Sequence, residues 1–155
     1  MPEPSRRRQI LAIYCERLKA IRGPAGFFTE AGRHVFVGEI PNLGTDDPDD
    51  AIAILGQQDE WRQQGKAFFV RWPITIWAVT KADPDPSEAY LAVEDLLADI
   101  ERAVELDDMT LGGLVYQPIV RLAPRLTLPR EEGSLVVGVG VTYANDWKEG
   151  WGHPE

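Results

Sequence analysis

The fold of this chain is decided by residues 66–106, KAFFVRWPITIWAVTKADPDPSEAYLAVEDLLADIERAVEL. The first part of this stretch alternates with a period of two, which predicts a long β-strand. One face of the strand carries the apolar set Phe68, Val70, Trp72, Ile74 and Ile76. The other face carries Phe69, Arg71, Pro73, Thr75 and Trp77.

A helix is predicted after the turn Asp83-Pro84-Asp85-Pro86. Asp85 can act as N-cap, Pro86 suits the first helical position, and Glu88 can bond back to the cap, which is the pattern of a capping box. Apolar residues recur at helical spacing, at Val93, Leu96, Leu97, Ile100, Ala103 and Val104. The opposite side is assigned to Glu94, Asp95, Asp99, Glu101, Arg102 and Glu105. Since neither the strand nor the helix can bury its apolar face alone, we expect a two-layer α+β domain built on their contact.

The residues before this stretch predict one more helix and two short strands. The helix is expected to begin at about Ser5 and to end before Gly23-Pro24, with apolar residues at Ile10, Tyr14, Leu18 and Ile21. Residues 33–38 (RHVFVG) predict a short strand, and residues 51–55 (AIAIL) predict a buried one.

Two polar segments separate these strands. Residues 41–50 (PNLGTDDPDD) predict an acidic loop, whose spacing of carboxylates does not match a calcium loop. Residues 56–65 (GQQDEWRQQG) predict a hairpin connection or a mobile arm. Both segments contain little apolar surface, so we expect them to be mobile in a free subunit and to become ordered on assembly.

The residues after the second helix predict an edge strand and a closing strand. Residues 115–128 contain Pro118 and Pro124, which confine a strand to a sheet edge or a bulged path. Residues 135–143 (LVVGVGVTY) alternate bulky side chains with a nearly bare face. Residues 1–144 are therefore expected to form one domain, and the polar residues 145–155 a flexible or partner-docked tail.

The composition limits the possible functions. A length of 155 residues suits one domain, and the formal net charge of −9 argues against a protein that makes many phosphate contacts with nucleic acid. The single cysteine, Cys15, is predicted to be a small buried apolar group. Since no segment approaches the roughly 18 to 20 apolar residues of a membrane span, we expect no membrane partner.

The sequence contains little that predicts catalysis. The two histidines, His34 and His153, have no second ligand at metal spacing, and no phosphate-binding or nucleophile motif is present. Acidic pairs such as Asp107-Asp108 lie in predicted turns, where solvated carboxylates are ordinary. We therefore expect a protein that is not an enzyme and that has no catalytic residue, metal or cofactor.

The tryptophans predict contacts with other proteins. The chain has five, and Trp61, Trp147 and Trp151 fall outside the predicted core patterns. Tryptophan is enriched in protein interfaces, so these three are candidate interface residues. The further candidates are Arg71 and the bare positions Gly138 and Gly140. Glycine on a strand face lets another backbone or subunit come close, and the alternative explanation is a simple β-bulge.

The order of these elements resembles that of the tail terminator proteins of long-tailed bacteriophages, also called minor tail or tail completion proteins. The resemblance covers nearly the whole chain. It rests mainly on the Asp-Pro-Asp entry of the second helix, on residues 99–104 (DIERAV), and on the closing strand with Tyr143, which ends in VTYAND.

This resemblance implies a mixed, mostly antiparallel sheet with two amphipathic helices on one face, and a six-membered homo-oligomeric ring. Such a ring binds the last ring of tail tube protein, stops tube polymerisation and presents the surface for the head completion or connector protein. DNA passes through the ring without specific binding, and the protein lies at the head-proximal end of the virion tail after assembly in the host cytoplasm. The alternatives are a head-to-tail connector or neck protein, and a small monomeric ligand-binding or enzymatic α+β domain.

Overall fold

The computed structural model describes residues 2–39, 49–81, 83–122, 125–128 and 136–150. The helices are α1 (Arg6–Lys19) and α2 (Pro86–Glu105). The strands are β1 (Val35–Val37), β2 (Asp50–Gly56), β3 (Glu60–Gln64), β4 (Ala67–Lys81), β5 (Val120–Arg121), β6 (Leu126–Leu128) and β7 (Val136–Gly150). The predicted α+β class is confirmed. No helix among the described residues is long and apolar enough to cross a membrane.

The described strands form one seven-stranded sheet centred on β4. The strand order is β1-β2-β4-β7-β5, with β3 paired to β4 and β6 paired to β7. β4 and β7 are antiparallel along 15 residues each, from Ala67 opposite Gly150 to Lys81 opposite Val136. β1 runs parallel to β2. The sheet is therefore mixed and mostly antiparallel.

The polar residues 56–65 form part of a long hairpin. β2 and β3 both pair with β4, and β3 turns into β4 through Gly65 and Lys66, which links the facing residues Gln64 and Ala67. Between β2 and β3, the three residues 57–59 lie opposite only two residues of β4, Trp72 and Pro73. The extra residue makes a bulge. Of the two predicted alternatives, hairpin connection and mobile arm, the structure shows a paired hairpin strand.

Both helices pack on the face of the sheet that β4 makes apolar. α1 buries residues one helical turn apart, and α2 buries the predicted apolar stripe. The core between the layers includes Ile10, Tyr14, Leu18, Ile74, Ile76, Leu96, Ile100, Val104, Val139, Val141 and Tyr143. The predicted contact between the central helix and the long strand is confirmed.

The start of α2 is capped by two aspartates. The side chain of Asp85 accepts a hydrogen bond from the Ser87 N–H at 2.9 Å. The N–H of Asp85 itself donates to Asp83 Oδ1 at 2.8 Å. The predicted N-cap is confirmed, but the bond to the Asp85 N–H that was expected from Glu88 is made by Asp83 of the preceding turn.

We expect Asp85→Ala to lower the free energy of unfolding by about 1 kcal/mol, because the Ser87 N–H loses its acceptor at an exposed helix end. Urea denaturation followed by circular dichroism measures this change. Asp95→Ala, at an exposed position in the middle of the same helix, is the matched control and is expected to leave the midpoint unchanged. An unchanged midpoint for Asp85→Ala would show that the helix does not depend on this cap.

Asp99 was predicted to lie on the polar side of α2, and this prediction is wrong. Its side chain is only 1% exposed. One carboxylate oxygen accepts the Phe28 N–H at 3.0 Å, and the other accepts the Thr29 N–H at 2.8 Å and the Thr29 hydroxyl at 2.7 Å. The carboxylate is buried because it binds residues 28 and 29, in the loop that follows α1 in the chain.

The predicted domain boundary at residue 144 is also wrong. β7 continues to Gly150, because β4 offers backbone partners as far as Ala67. Trp147, assigned to a tail, is fully buried in the core. Residues 151–155, with the candidate Trp151, lie outside the described residues.

Three other predicted segments are shorter than expected. Residues 33–38 give only the three-residue β1, and residues 115–128 give the short strands β5 and β6 at the predicted sheet edge. Asp50 belongs to β2, and residues 41–48 of the acidic loop lie outside the described residues.

Cys15 is half-buried against the core, and burial raises the pKa of its thiol.

Candidate interaction surface

The end of the sheet formed by β3, residues 67–71 and residues 146–150 is called the distal arm below. It is three strands wide, with β4 between β3 and β7. Successive side chains of a strand point to opposite faces. The face shared with the helices carries Trp61, Phe68, Val70 and Trp147, and the opposite face carries Arg62, Phe69, Arg71, Asp146 and Lys148.

Trp61 is an interface candidate that the structure leaves largely exposed. All five residues of β3 are exposed, and Trp61 keeps 64% of its surface. Its ring meets Phe68 edge-on, with the ring centroids 5.4 Å apart. Trp72 and Trp147 are buried by contrast, at 7% and 0% exposed. A large aromatic ring that is mostly exposed to water has surface area that a partner can bury.

A groove of about 360 Å³ lies beside Trp61 on the face of the helices. Arg7 of α1 closes it with an ion pair to Asp59. The same guanidinium stands over the rings of Trp147 and Trp72, 5.0 Å and 5.8 Å from their centroids. The groove is lined by Arg7, Asp59, Trp61, Phe68, Val70 and Glu149. Charged groups thus surround an aromatic floor.

A second groove of about 360 Å³ lies on the opposite face of the arm. Phe69 is central to it, with Arg62 and Lys148 5.3 Å and 5.8 Å from its ring centroid and Tyr116 packed edge-on at 5.9 Å. Its lining consists of Glu60, Trp61, Arg62, Phe69, Val70, Arg71, Tyr116 and Asp146. This groove offers aromatic surface and positive charge to a partner.

Arg71 is held rigidly in this second groove. Its Nε and Nη2 donate to the two oxygens of Asp146 at 2.8 Å and 3.0 Å. These hydrogen bonds raise the pKa of the Arg71 guanidinium, so it stays charged. Gln117 donates a further bond to Asp146 at 2.5 Å. With 42% of its side chain exposed, Arg71 presents a fixed cation at the surface.

The candidate glycines of β7, Gly138 and Gly140, lie on the face without helices, away from the distal arm. A Cβ at Gly140 would come within 3.0 Å of the Trp77 ring of the same chain. Gly140 therefore makes room for Trp77, which covers this bare position from within the subunit. Gly138 is buried opposite Val79. Neither glycine is brought together with Trp61 or Arg71.

The most strongly shifted titratable groups belong to buried networks. The Tyr14 hydroxyl donates to Asn145 Oδ1 at 2.8 Å, and Asn145 Nδ2 donates to the carbonyl oxygen of Trp72 at 3.1 Å. The Tyr143 hydroxyl donates to Glu105 at 2.7 Å, and Arg121 binds the same carboxylate with two hydrogen bonds. Burial raises the pKa of both tyrosines well above the ordinary value. These bonds satisfy the polar groups of the core and link distant strands and helices.

Metal ligands are not clustered in this part of the molecule. Across the described ranges, no group of three or more His, Cys, Asp and Glu side chains is placed to hold a metal ion. The arrangement that remains is the distal arm, whose two faces combine aromatic rings with charged groups.

The comparisons with known proteins include a distant likeness to a solved structure. Neither a family model nor a curated protein sequence matches the chain. Among solved structures, the chain is similar to the sheath/tube terminator of an extracellular contractile injection system (PVC), seen by cryo-electron microscopy in its extended state, with 11% sequence identity and a TM-score of 0.41. The match covers 94% of this chain and 58% of the other, so this chain spans somewhat more than half of that length. A TM-score of 0.41 establishes neither a common fold nor a common function.

Proposed function

We propose that the protein is a structural component of a tail-like particle, which caps the tail tube, stops its polymerisation and forms the tail-side surface for head joining. The observation that carries this proposal is the exposed Trp61 on a distal arm with aromatic and charged groups on both faces. The sequence pattern that resembles phage tail terminators supplies the kind of partner. In this proposal the working parts are surfaces, without a catalytic site or cofactor.

The distal arm suits binding to another protein. Interface hot spots are enriched in tryptophan, tyrosine and arginine. Tyr116 and Arg71 line one groove of the arm, and Trp61, whose side chain lies on the other face, lines both grooves. Because Asp146 fixes Arg71 in the free subunit, little side-chain freedom is lost when a partner binds there.

The proposed partners follow from the resemblance of the sequence to tail terminator proteins. The subunits form a homo-oligomeric ring, with six members as in the family that the sequence resembles. The ring binds the tail tube protein on one side and a head completion or connector protein on the other, at the head-proximal end of the tail. A net charge of −9 suits a ring that lets DNA pass without gripping its phosphates.

The direct test adds purified protein to polymerising tube protein and measures tube length by electron microscopy. Wild-type protein is expected to stop growth. Trp61→Ala is expected to need roughly thirtyfold more protein, because truncating a central interface tryptophan commonly costs about 2 kcal/mol or more. Phe28→Ala is the matched control, since Phe28 is 72% exposed but belongs to the loop bound by Asp99.

Two results would count against the proposal. Tube growth that wild-type protein leaves unaffected would remove the capping function. Equal activity of Trp61→Ala and wild type would keep capping possible but exclude the distal arm as its binding surface. Circular dichroism of each variant shows whether the chain is folded, which matters because only folded variants are compared.

A further inference from the structure

We propose that β3 is a self-association surface: two copies of this chain pair their β3 strands antiparallel, centred on Trp61, so that the sheet continues from one subunit into the other. This contact goes beyond the proposed capping function. A closed ring is built from head-to-tail joints, whereas a two-fold contact joins only two units. The β3 contact therefore pairs two free subunits or two rings.

The first observation is the open edge of β3. Among the described residues, β3 pairs only with β4. The Gln57 N–H donates to the Pro73 carbonyl oxygen, so this carbonyl points towards the side of β4 where β2 and β3 lie. Backbone groups alternate in direction along a strand with a period of two. The groups of Ala67, Phe69 and Arg71 therefore point to the same side as the Pro73 carbonyl and bind their partners on β3. Trp61 and Gln63 then direct their N–H and C=O groups to the outer edge.

The second observation is that the sequence of β3 complements itself. In an antiparallel pair centred on Trp61, this residue lies opposite Trp61 of the second copy, and Glu60 lies opposite Arg62 twice. The two Trp61 residues exchange backbone hydrogen bonds, because their backbone groups face the edge. Their rings meet on the face that carries Phe68, while both charge pairs form on the other face.

Other antiparallel arrangements of the same strand are less favourable. Centring the pair on Arg62 places two guanidinium groups opposite each other, which is a repulsion between like charges. Centring it on Gln63 places Trp61 opposite Gly65 and Arg62 opposite the uncharged Gln64, and Glu60 then faces only Lys66 of the turn after β3. The charges of Glu60 and Arg62 thus select one register and one occupant, a second copy of this chain.

The self-association would cover the same tryptophan that the proposed capping function uses. A subunit paired through β3 cannot bind the tube with Trp61, so tube binding and self-pairing compete. The test of self-pairing needs no tube protein, and its failure is therefore distinguishable from a failure of capping.

The experiment is sedimentation equilibrium of the purified full chain over a range of concentrations, with reversed charges on β3. Wild-type protein is expected to double its mass as concentration rises, whether the associating unit is one chain or a ring. Glu60→Arg and Arg62→Glu each turn both charge pairs into repulsions, so each is expected to weaken self-association about tenfold. Glu16→Arg and Arg22→Glu carry the same charge changes at exposed positions away from β3 and are expected to behave as wild type.

The decisive sample is an equimolar mixture of Glu60→Arg protein and Arg62→Glu protein. In a mixed pair, the arginine introduced into one copy faces the glutamate introduced into the other, and the remaining native Arg62 faces the remaining native Glu60. Every facing pair is again of opposite charge, so association is expected to return to the wild-type level. The double variant Glu60→Arg/Arg62→Glu should self-associate for the same reason. A wild type that does not double its mass, single variants that associate as wild type, or a mixture without rescue would each overturn the proposal.

Discussion

Replacing Trp147 by alanine is expected to lower the free energy of unfolding by about 3–5 kcal/mol, a large part of the roughly 5–15 kcal/mol that holds a domain together. The side chain is fully buried. Its ring meets Trp72 edge-on at 6.3 Å and lies under the Arg7 guanidinium, and its N–H donates to Glu149 at 2.9 Å. Alanine would leave a cavity that these neighbours cannot close.

Trp61→Ala is the matched control, because it removes the same type of side chain from an exposed position. Trp61 and Trp147 both lie beside Val70 of β4, one on each neighbouring strand. It is expected to change the free energy of unfolding by less than about 0.5 kcal/mol. Urea denaturation of both variants measures the contrast. If both variants unfolded at the wild-type midpoint, residues 146–150 would not be part of the core. Truncation after Asn145 is consequently a folding mutation and cannot test binding by a tail.

Ile100→Asp is expected to lower the free energy of unfolding by at least about 4 kcal/mol, which leaves little or no stable fold. Ile100 is fully buried where α2 packs on the sheet, and the introduced carboxylate would lie in the apolar core. Leu97→Asp is expected to cost less, because Leu97 is only partly buried beside that core. Thermal unfolding followed by circular dichroism measures both variants.

Leu91→Asp is the control on the same helix, since Leu91 is 53% exposed and an added charge there stays in water. It is expected to melt within a few degrees of wild type. An Ile100→Asp protein that also melts near the wild-type temperature would show that α2 does not bury this face, and the packing of helix on sheet would be wrong.

The two layers could be predicted from the sequence because their signals are local. The period of two in β4 and the period of 3.6 in α2 are each complete within about 20 residues, and a cap marks the start of α2. Of the apolar face predicted for β4, Val70, Trp72, Ile74 and Ile76 are buried in the structure, whereas Phe68 is only partly buried.

The end of β7 was missed because its polar residues find their partners far away in the chain. Asn145 is fully buried by bonds to Tyr14 and Trp72, and Asp146 by bonds to Arg71. No local pattern shows such partners. A usable signal was present all the same, since the period of two places Trp147 on the same face of the strand as Val139, Val141, Tyr143 and Asn145.

Asp99 shows the same limit of local reasoning. Its charge suggested a solvent-facing position, although its spacing of three from Leu96 places it beside the apolar stripe. Its hydrogen bonds go to Phe28 and Thr29, about 70 residues earlier.

For the candidate interface residues, the residue type alone predicted Trp61 and Trp147 equally as interface residues. Only the tertiary packing separates the exposed ring from the buried one.

The function that we propose for this chain is to end the growth of a tail tube. The most direct measurement is the distribution of tube lengths, by electron microscopy, in particles assembled with and without the gene for this chain. We expect tubes of uniform length when the chain is present and overlong, variable tubes when it is absent. Tails of normal and uniform length assembled without the chain would contradict the claim.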